Sequence, residues 1–156
     1  MAFIISALIV VVFIVIVIGG VGMFKRKMMA AMYTSIIAVI ILNIIEPVPS
    51  TDGGWALGIL VYSIYAVPVI FIYGIFSSVI SEKISFHVKK YSNVFSLVLH
   101  FLFGFAFVLP YGVIFDSTTF AQHTFGEILF NTANFFFSIF AVIFFIIDYI
   151  LKRKFK

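Results

Sequence analysis

The sequence predicts an all-α fold: a polytopic membrane bundle of five transmembrane helices, with the N-terminus outside and the C-terminus inside. Three observations carry that expectation. Of 156 residues, 64% are hydrophobic and only 10% charged, whereas a soluble domain carries about a quarter charged residues. Such a chain cannot cover itself with a water-facing surface, so lipid must be its solvent. The apolar residues come in five continuous runs, each near the roughly 20 residues that a helix needs to cross about 30 Å of hydrocarbon. Runs that are continuous rather than alternating exclude a membrane β-barrel. Finally, all ten basic residues fall in three clusters: Lys25, Arg26 and Lys27; Lys83, Lys89 and Lys90; and Lys152, Arg153, Lys154 and Lys156. Counted alternately along the runs, every cluster lies on one side, and retention of short basic loops makes that side cytoplasmic. Glu46, Asp52, Asp116 and Glu127 fall at or near the opposite side.

Span 1 covers about 3–24 and is almost wholly aliphatic. Its basic residues follow it, the reverse of a cleavable signal peptide, so it is expected to remain as a span. Gly19, Gly20 and Gly22, just before a basic turn at 25–27, suit close backbone approach to the next helix. Span 2, about 28–45, stops at Glu46-Pro47-Val48-Pro49, where two prolines cannot continue a regular helix. Ser50 to Gly54 is a turn signal, with Asp52 placed to cap span 3. Span 3, about 55–80, opens on Trp55 at the outer interface. Tilt or a bend at Pro68 would absorb its excess length. An inner loop over 81–93 follows, in which Ile84, Phe86 and Val88 alternate with polar neighbours, and Ser92 or Asn93 can cap span 4. That span, about 94–115, contains Pro110. Thr124-Phe125-Gly126-Glu127 forms an S/T-x-x-E capping box that opens span 5, about 128–150. No loop has room for a soluble domain, so 1–156 reads as a single integral membrane domain.

Polar residues inside spans mark inward faces, because lipid penalises them. Span 5 collects Asn131, Asn134, Ser138, Ala141 and Asp148 on one helical stripe, and span 4 matches it with Ser96, His100, Gly104 and Tyr111. Span 2 offers Ala31, Ser35 and Ala38, then Asn43 and Glu46. Span 3 lines up Tyr62, Tyr65 and Tyr73, with Gly74, Ser77, Ser78 and Ser81 on a neighbouring face. Span 1 has only Ser6 and its glycines and is expected to be peripheral. Two groupings are candidate ligand or proton sites. His100 is the titratable side chain deepest in hydrocarbon, and Asp148 lies in the same leaflet within about one helical turn of its depth. A carboxylate beside imidazole would favour imidazolium and could relay protons. The alternative is that His100 bonds a neighbouring helix while Asp148 reaches headgroup water or Lys152. Glu46, Asn43, Asn131 and Asn134 could gather in the outer leaflet around a cation or small polar ligand. The alternative there is an interfacial acid, with asparagines joining helices.

The net charge of +4 is accounted for by insertion signals, which leaves no basic groove for nucleic acid. There is no cysteine, hence no disulfide or thiolate metal site. The chain has no His-Glu-x-x-His pair, nucleophile elbow, paired intramembrane aspartates or phosphate-binding glycine loop. No enzyme activity, metal or cofactor is expected. The partners expected are the bilayer itself and another membrane protein or a second copy of the chain. The C-terminal basic tail could also meet anionic lipid or an acidic partner.

The stretch Tyr65-Ala66-Val67-Pro68-Val69-Ile70-Phe71-Ile72-Tyr73-Gly74-Ile75-Phe76-Ser77-Ser78, continuing through Ser81-Glu82-Lys83-Ile84-Ser85, resembles a segment of small multi-span membrane proteins of bacilli. The resemblance implies a bacterial plasma-membrane bundle, with span 1 as an extension of a four-span core, and it transfers no functional residue. The function expected is that of a non-enzymatic accessory, regulatory or immunity-type membrane protein. The alternative is a small proton-coupled transporter or permeation subunit using His100.

Overall fold

Apolar runs in hydrocarbon have no water to satisfy their backbone, so each must bond internally, and a helix does this within one segment. The computed structural model describes residues 2–88, 91–115, 118 and 122–154, without the side chains of 2–8, 11, 12, 14–16, 18, 19, 111 and 113–115. The fold is all-helical, and among the described residues there is no strand. Helix α1 runs Ala2–Ile45 with a break at Gly20. A short 3-10 turn, Ser50–Asp52, leads into α2, Gly54–Val69. A π-helical turn, Ile70–Gly74, joins α2 to α3, Ile75–Phe86. Then come α4, Ser92–Ala106, α5, Val108–Phe115, α6, Phe125–Leu129, and α7, Thr132–Lys154. Four stretches among the described residues are long and apolar enough to cross a membrane: Gly20–Ile45, Gly54–Phe86, Ser92–Pro110 and Phe125–Lys154.

Several expected boundaries move, each for a physical reason. The basic residues 25–27 form no turn: they lie inside α1, and the chain breaks five residues earlier, at Gly20. With φ 75° and ψ 173°, Gly20 holds a backbone conformation that a side chain would resist. Gly20 and Gly22 meet no neighbouring atoms, so close helix approach is not their role. Asp52 does not cap α2. Gly53, at φ 115°, takes the cap position, and Asp52 accepts a bond from the Thr51 hydroxyl. The expected inner loop is shorter, because α3 continues to Phe86 with Ser81 and Ser85 buried one turn apart and Ile84 and Phe86 exposed. Neither Ser92 nor Asn93 caps α4, whose cap position is Tyr91. Span 4 divides at Phe107, just ahead of Pro110. Proline lacks the N–H that would bond Ala106, and its ring crowds that carbonyl. Lys89, Lys90, Asp116 and Lys156 lie outside the described residues, as do the side chains of Ser6 and Tyr111.

The capping box is present as expected: the Thr124 N–H donates to Glu127 Oε2 at 2.8 Å, and the Glu127 N–H donates to Thr124 Oγ1 at 3.5 Å. It opens only the short α6. A second start follows at Asn131, whose Oδ1 accepts from the Asn134 N–H at 2.8 Å. Two compact units make up the chain: unit 1 contains Met1–Val79 and Ile146–Lys156, and unit 2 contains Ile80–Phe145.

Candidate functional site

In unit 1 the most strongly polar site is built around Lys27. Residues 27, 30, 31, 34, 35 and 38 recur at helical spacing along α1 and are all buried. Ala30 and Ala31 keep the helix surface low beside the lysine, which allows close packing. Lys27 itself is 0% exposed. Its Nζ donates to Asp148 Oδ2 at 2.7 Å and to Ser78 Oγ at 2.7 Å. Arg26 Nε donates to the other carboxylate oxygen, Asp148 Oδ1, at 2.8 Å. The side chains of Arg26 and Asp148 are only 11% and 9% exposed. One carboxylate thus holds two consecutive cations of α1, and the second of them, Lys27, also reaches α3.

The chemistry of this cluster follows from its desolvation. A buried charge is tolerated only when paired and hydrogen-bonded, and short charge-assisted bonds are the strong kind. Two cations on one carboxylate in this dry site tie α1 to α7. The carboxylate's partners here are Arg26 and Lys27 of α1, which the expectation of headgroup water, Lys152 or His100 does not include. Insertion alone does not account for the cluster at 25–27, because Arg26 and Lys27 also hold helices together. The signal was available: the span 2 stripe of Ala38, Ser35 and Ala31, continued one turn back, lands on Lys27.

At the other end of unit 1, Asn43 is fully buried and its Nδ2 donates to the Trp55 carbonyl at 3.2 Å. A Cβ on Gly58 would overlap Asn43 Oδ1, so α1 and α2 meet here at closest approach. Glu46 is exposed, and its backbone carbonyl accepts from the Tyr62 hydroxyl. The tyrosine stripe does not form an inner lining: Tyr65 is 61% exposed, while Ser77 and Ser78 are buried. Thr34 Oγ1, Ser35 Oγ and Asn43 Oδ1 are buried with no hydrogen-bond partner among the described residues.

In unit 2, Ser96, His100 and Gly104 form the buried face of α4 as expected. His100 is 2% exposed, and its Nδ1 bonds the Ser96 carbonyl one turn back at 2.7 Å. A carbonyl can only accept, so Nδ1 carries the proton. The imidazole stacks on Phe144 at 6.5 Å and tilts over Phe145 at 5.2 Å. One turn further, a Cβ on Gly104 would stand 2.7 Å from the Phe137 carbonyl oxygen and 2.7 Å from Ala141 Cβ. Phe107 and Phe137 meet edge to face at 4.8 Å. Asn134 is buried and donates to the Leu129 carbonyl at 2.7 Å, closing the end of α6. Asn131 is exposed and serves as a helix cap, not as an interhelical link. Asn43, Asn131, Asn134 and Glu46 each bond within their own unit. Among the described residues, no three His, Cys, Asp or Glu side chains come together in a way that could hold a metal ion.

No protein-family model matches the chain, and no curated protein or solved structure is detectably similar to it.

Proposed function

We propose that this chain is a non-enzymatic integral protein of a bacterial plasma membrane, an accessory, regulatory or immunity-type component that acts through contacts in the bilayer. The observation that carries the reading is where its intramembrane polar groups go. Asp148 is closed off by two cations, Asn43 and Asn134 bond backbone carbonyls, and His100 bonds its own helix. Of these bonds, Lys27–Asp148 and Asn43–Trp55 join separate helices and favour one packing partner over another, each worth about 0.6–2 kcal/mol. The test is purified protein in liposomes, where no proton or solute flux is expected, together with isolation of a membrane partner from the native bacterium. Reproducible flux that His100→Ala abolishes without loss of insertion would overturn the proposal. It would establish the second reading, a small proton-coupled permeation unit, which the burial of His100 between two phenylalanine rings favours.

For the threading we propose five crossings, with the N-terminus outside, the basic helix ends inside and Glu46 and Trp55 outside. The four apolar stretches and the positions of Lys25 and Lys152–Lys154 support it, since basic residues stay cytoplasmic. Gly20 is where the first segment would reverse. The absence of cysteine makes single labels clean: Ser50→Cys and Ala2→Cys should react with an impermeant maleimide from outside, and His87→Cys only after lysis. Protection of Ala2→Cys, with Ser50→Cys still reactive, would reduce the count to four.

A further inference from the structure

We infer that the cytoplasmic end of unit 1 is a docking surface for an anionic phospholipid, with the phosphate held by Lys25 and the basic end of α7. Asp148 brings two basic segments to one place: Arg26 and Lys27 bond it directly, Lys25 precedes them, and Lys152 lies one helical turn beyond it. Two of the three cations at 25–27 bond the carboxylate, and three more, at 152–154, follow it on α7 within two helical turns. Lys25, Lys152, Arg153 and Lys154 are exposed. Arg153 is held in place over Tyr149, 4.7 Å from the ring centre, with a bond from its Nη2 to the phenol oxygen at 2.5 Å.

Depth and shape point to a lipid rather than to a soluble anion. Lys25 and Glu46 are separated along α1 by about 31 Å at 1.5 Å per residue, one hydrocarbon thickness, which sets Lys25 at headgroup level. Lys25, Met32 and Ile36 fall within about 20° of one line on the helix, and Met32 and Ile36 are exposed. On α7, exposed Ile146 lies within about 20° of the line of Arg153, and exposed Ile150 within about 40° of that of Lys154. Each helix therefore presents a cation at the foot of an apolar stripe, the pattern of a phosphate with its acyl chains. Insertion accounts for the sign of these charges, but not for the pairing of Arg26 and Lys27 with Asp148 that joins their two segments.

The test uses the full-length chain purified in detergent and mixed with phosphatidylglycerol or phosphatidylcholine of identical acyl chains, with bound lipid counted by native mass spectrometry. A basic residue near an anionic surface contributes about 1 kcal/mol, or roughly fivefold. Phosphatidylglycerol should be retained at least about fivefold over phosphatidylcholine, and Lys25→Gln, Arg153→Gln and Lys154→Gln should each lower that preference by up to about fivefold. Equal retention of the two lipids by the unaltered protein overturns the proposal, as does an unchanged preference in the triple variant. Complete displacement of the lipid by an equimolar amount of inorganic phosphate overturns it too, because the site would then be one for free phosphate. If the triple variant cannot be purified, the comparison of the two lipids on the unaltered protein and the single Lys154→Gln variant decide the matter.

Discussion

The two compact units hold their helices by opposite means. Unit 1 uses charge: a fully buried lysine bonds a serine and, with its neighbouring arginine, Asp148. Unit 2 uses contact: Gly104, deep in α4, lets the backbone of α7 come within van der Waals distance, with aromatic rings above and below. Lipid provides no hydrophobic drive for one apolar helix to leave it for another, so only close packing or polar bonding can select a partner. Near the headgroups the charged side chains can be solvated until they pair, whereas in mid-membrane an unpaired charge is far costlier.

That contrast ranks the expected effects of mutation. Asp148→Ala should be the most damaging single change, costing about 3–5 kcal/mol, because it leaves buried Lys27 and Arg26 without their shared acceptor. Reversible unfolding in mixed micelles measures it. In a double-mutant cycle, Lys27→Met with Asp148→Asn should cost clearly less than the sum of the single changes. Additivity would show that the bond is not what holds unit 1. Gly104→Val should cost about 1–3 kcal/mol through overpacking, and a larger loss than that of Asp148→Ala would reverse the ranking. Asn131→Ala removes a helix cap and should cost about 1 kcal/mol, read as fraying at the start of α7 by hydrogen exchange. Gly22→Ala is the control: with open space around it, it should stay within about 0.5 kcal/mol of the native protein.

The inward faces were legible because lipid makes polarity expensive: Ser35, Asn43, His100, Asn134, Ser138 and Asp148 are all buried where the spacing placed them. The capping box at Thr124 was equally plain, being a local pattern with a local cause. What escaped was long-range. Lys27 and Asp148 are separated by 121 positions, and a rule that reads basic residues as loop markers has no term for a lysine that finds an acid on another helix. The role of Asn131 is hidden for the opposite reason: its cap follows from a helix restart inside an apolar run, which hydropathy does not register.

The π-helical turn at Ile70–Gly74 acts as a rotational gear. Each residue of an α-helix turns the chain by about 100°, so a π-turn, which absorbs one extra residue, sets everything beyond it back by about that angle. At uniform pitch Gly58 and Ser77 would lie about 100° apart, and with the extra residue they fall on one meridian. Both are buried, and Ser78 beside them is in place to meet Lys27. The same offset breaks any stripe counted straight through the segment, including the one drawn through Tyr62, Tyr65 and Tyr73. Pro68, just upstream, loosens the ladder where this happens. Deleting a single residue between 70 and 74 would leave the composition almost untouched, yet it would swing the serine face of α3 away from the lysine it serves.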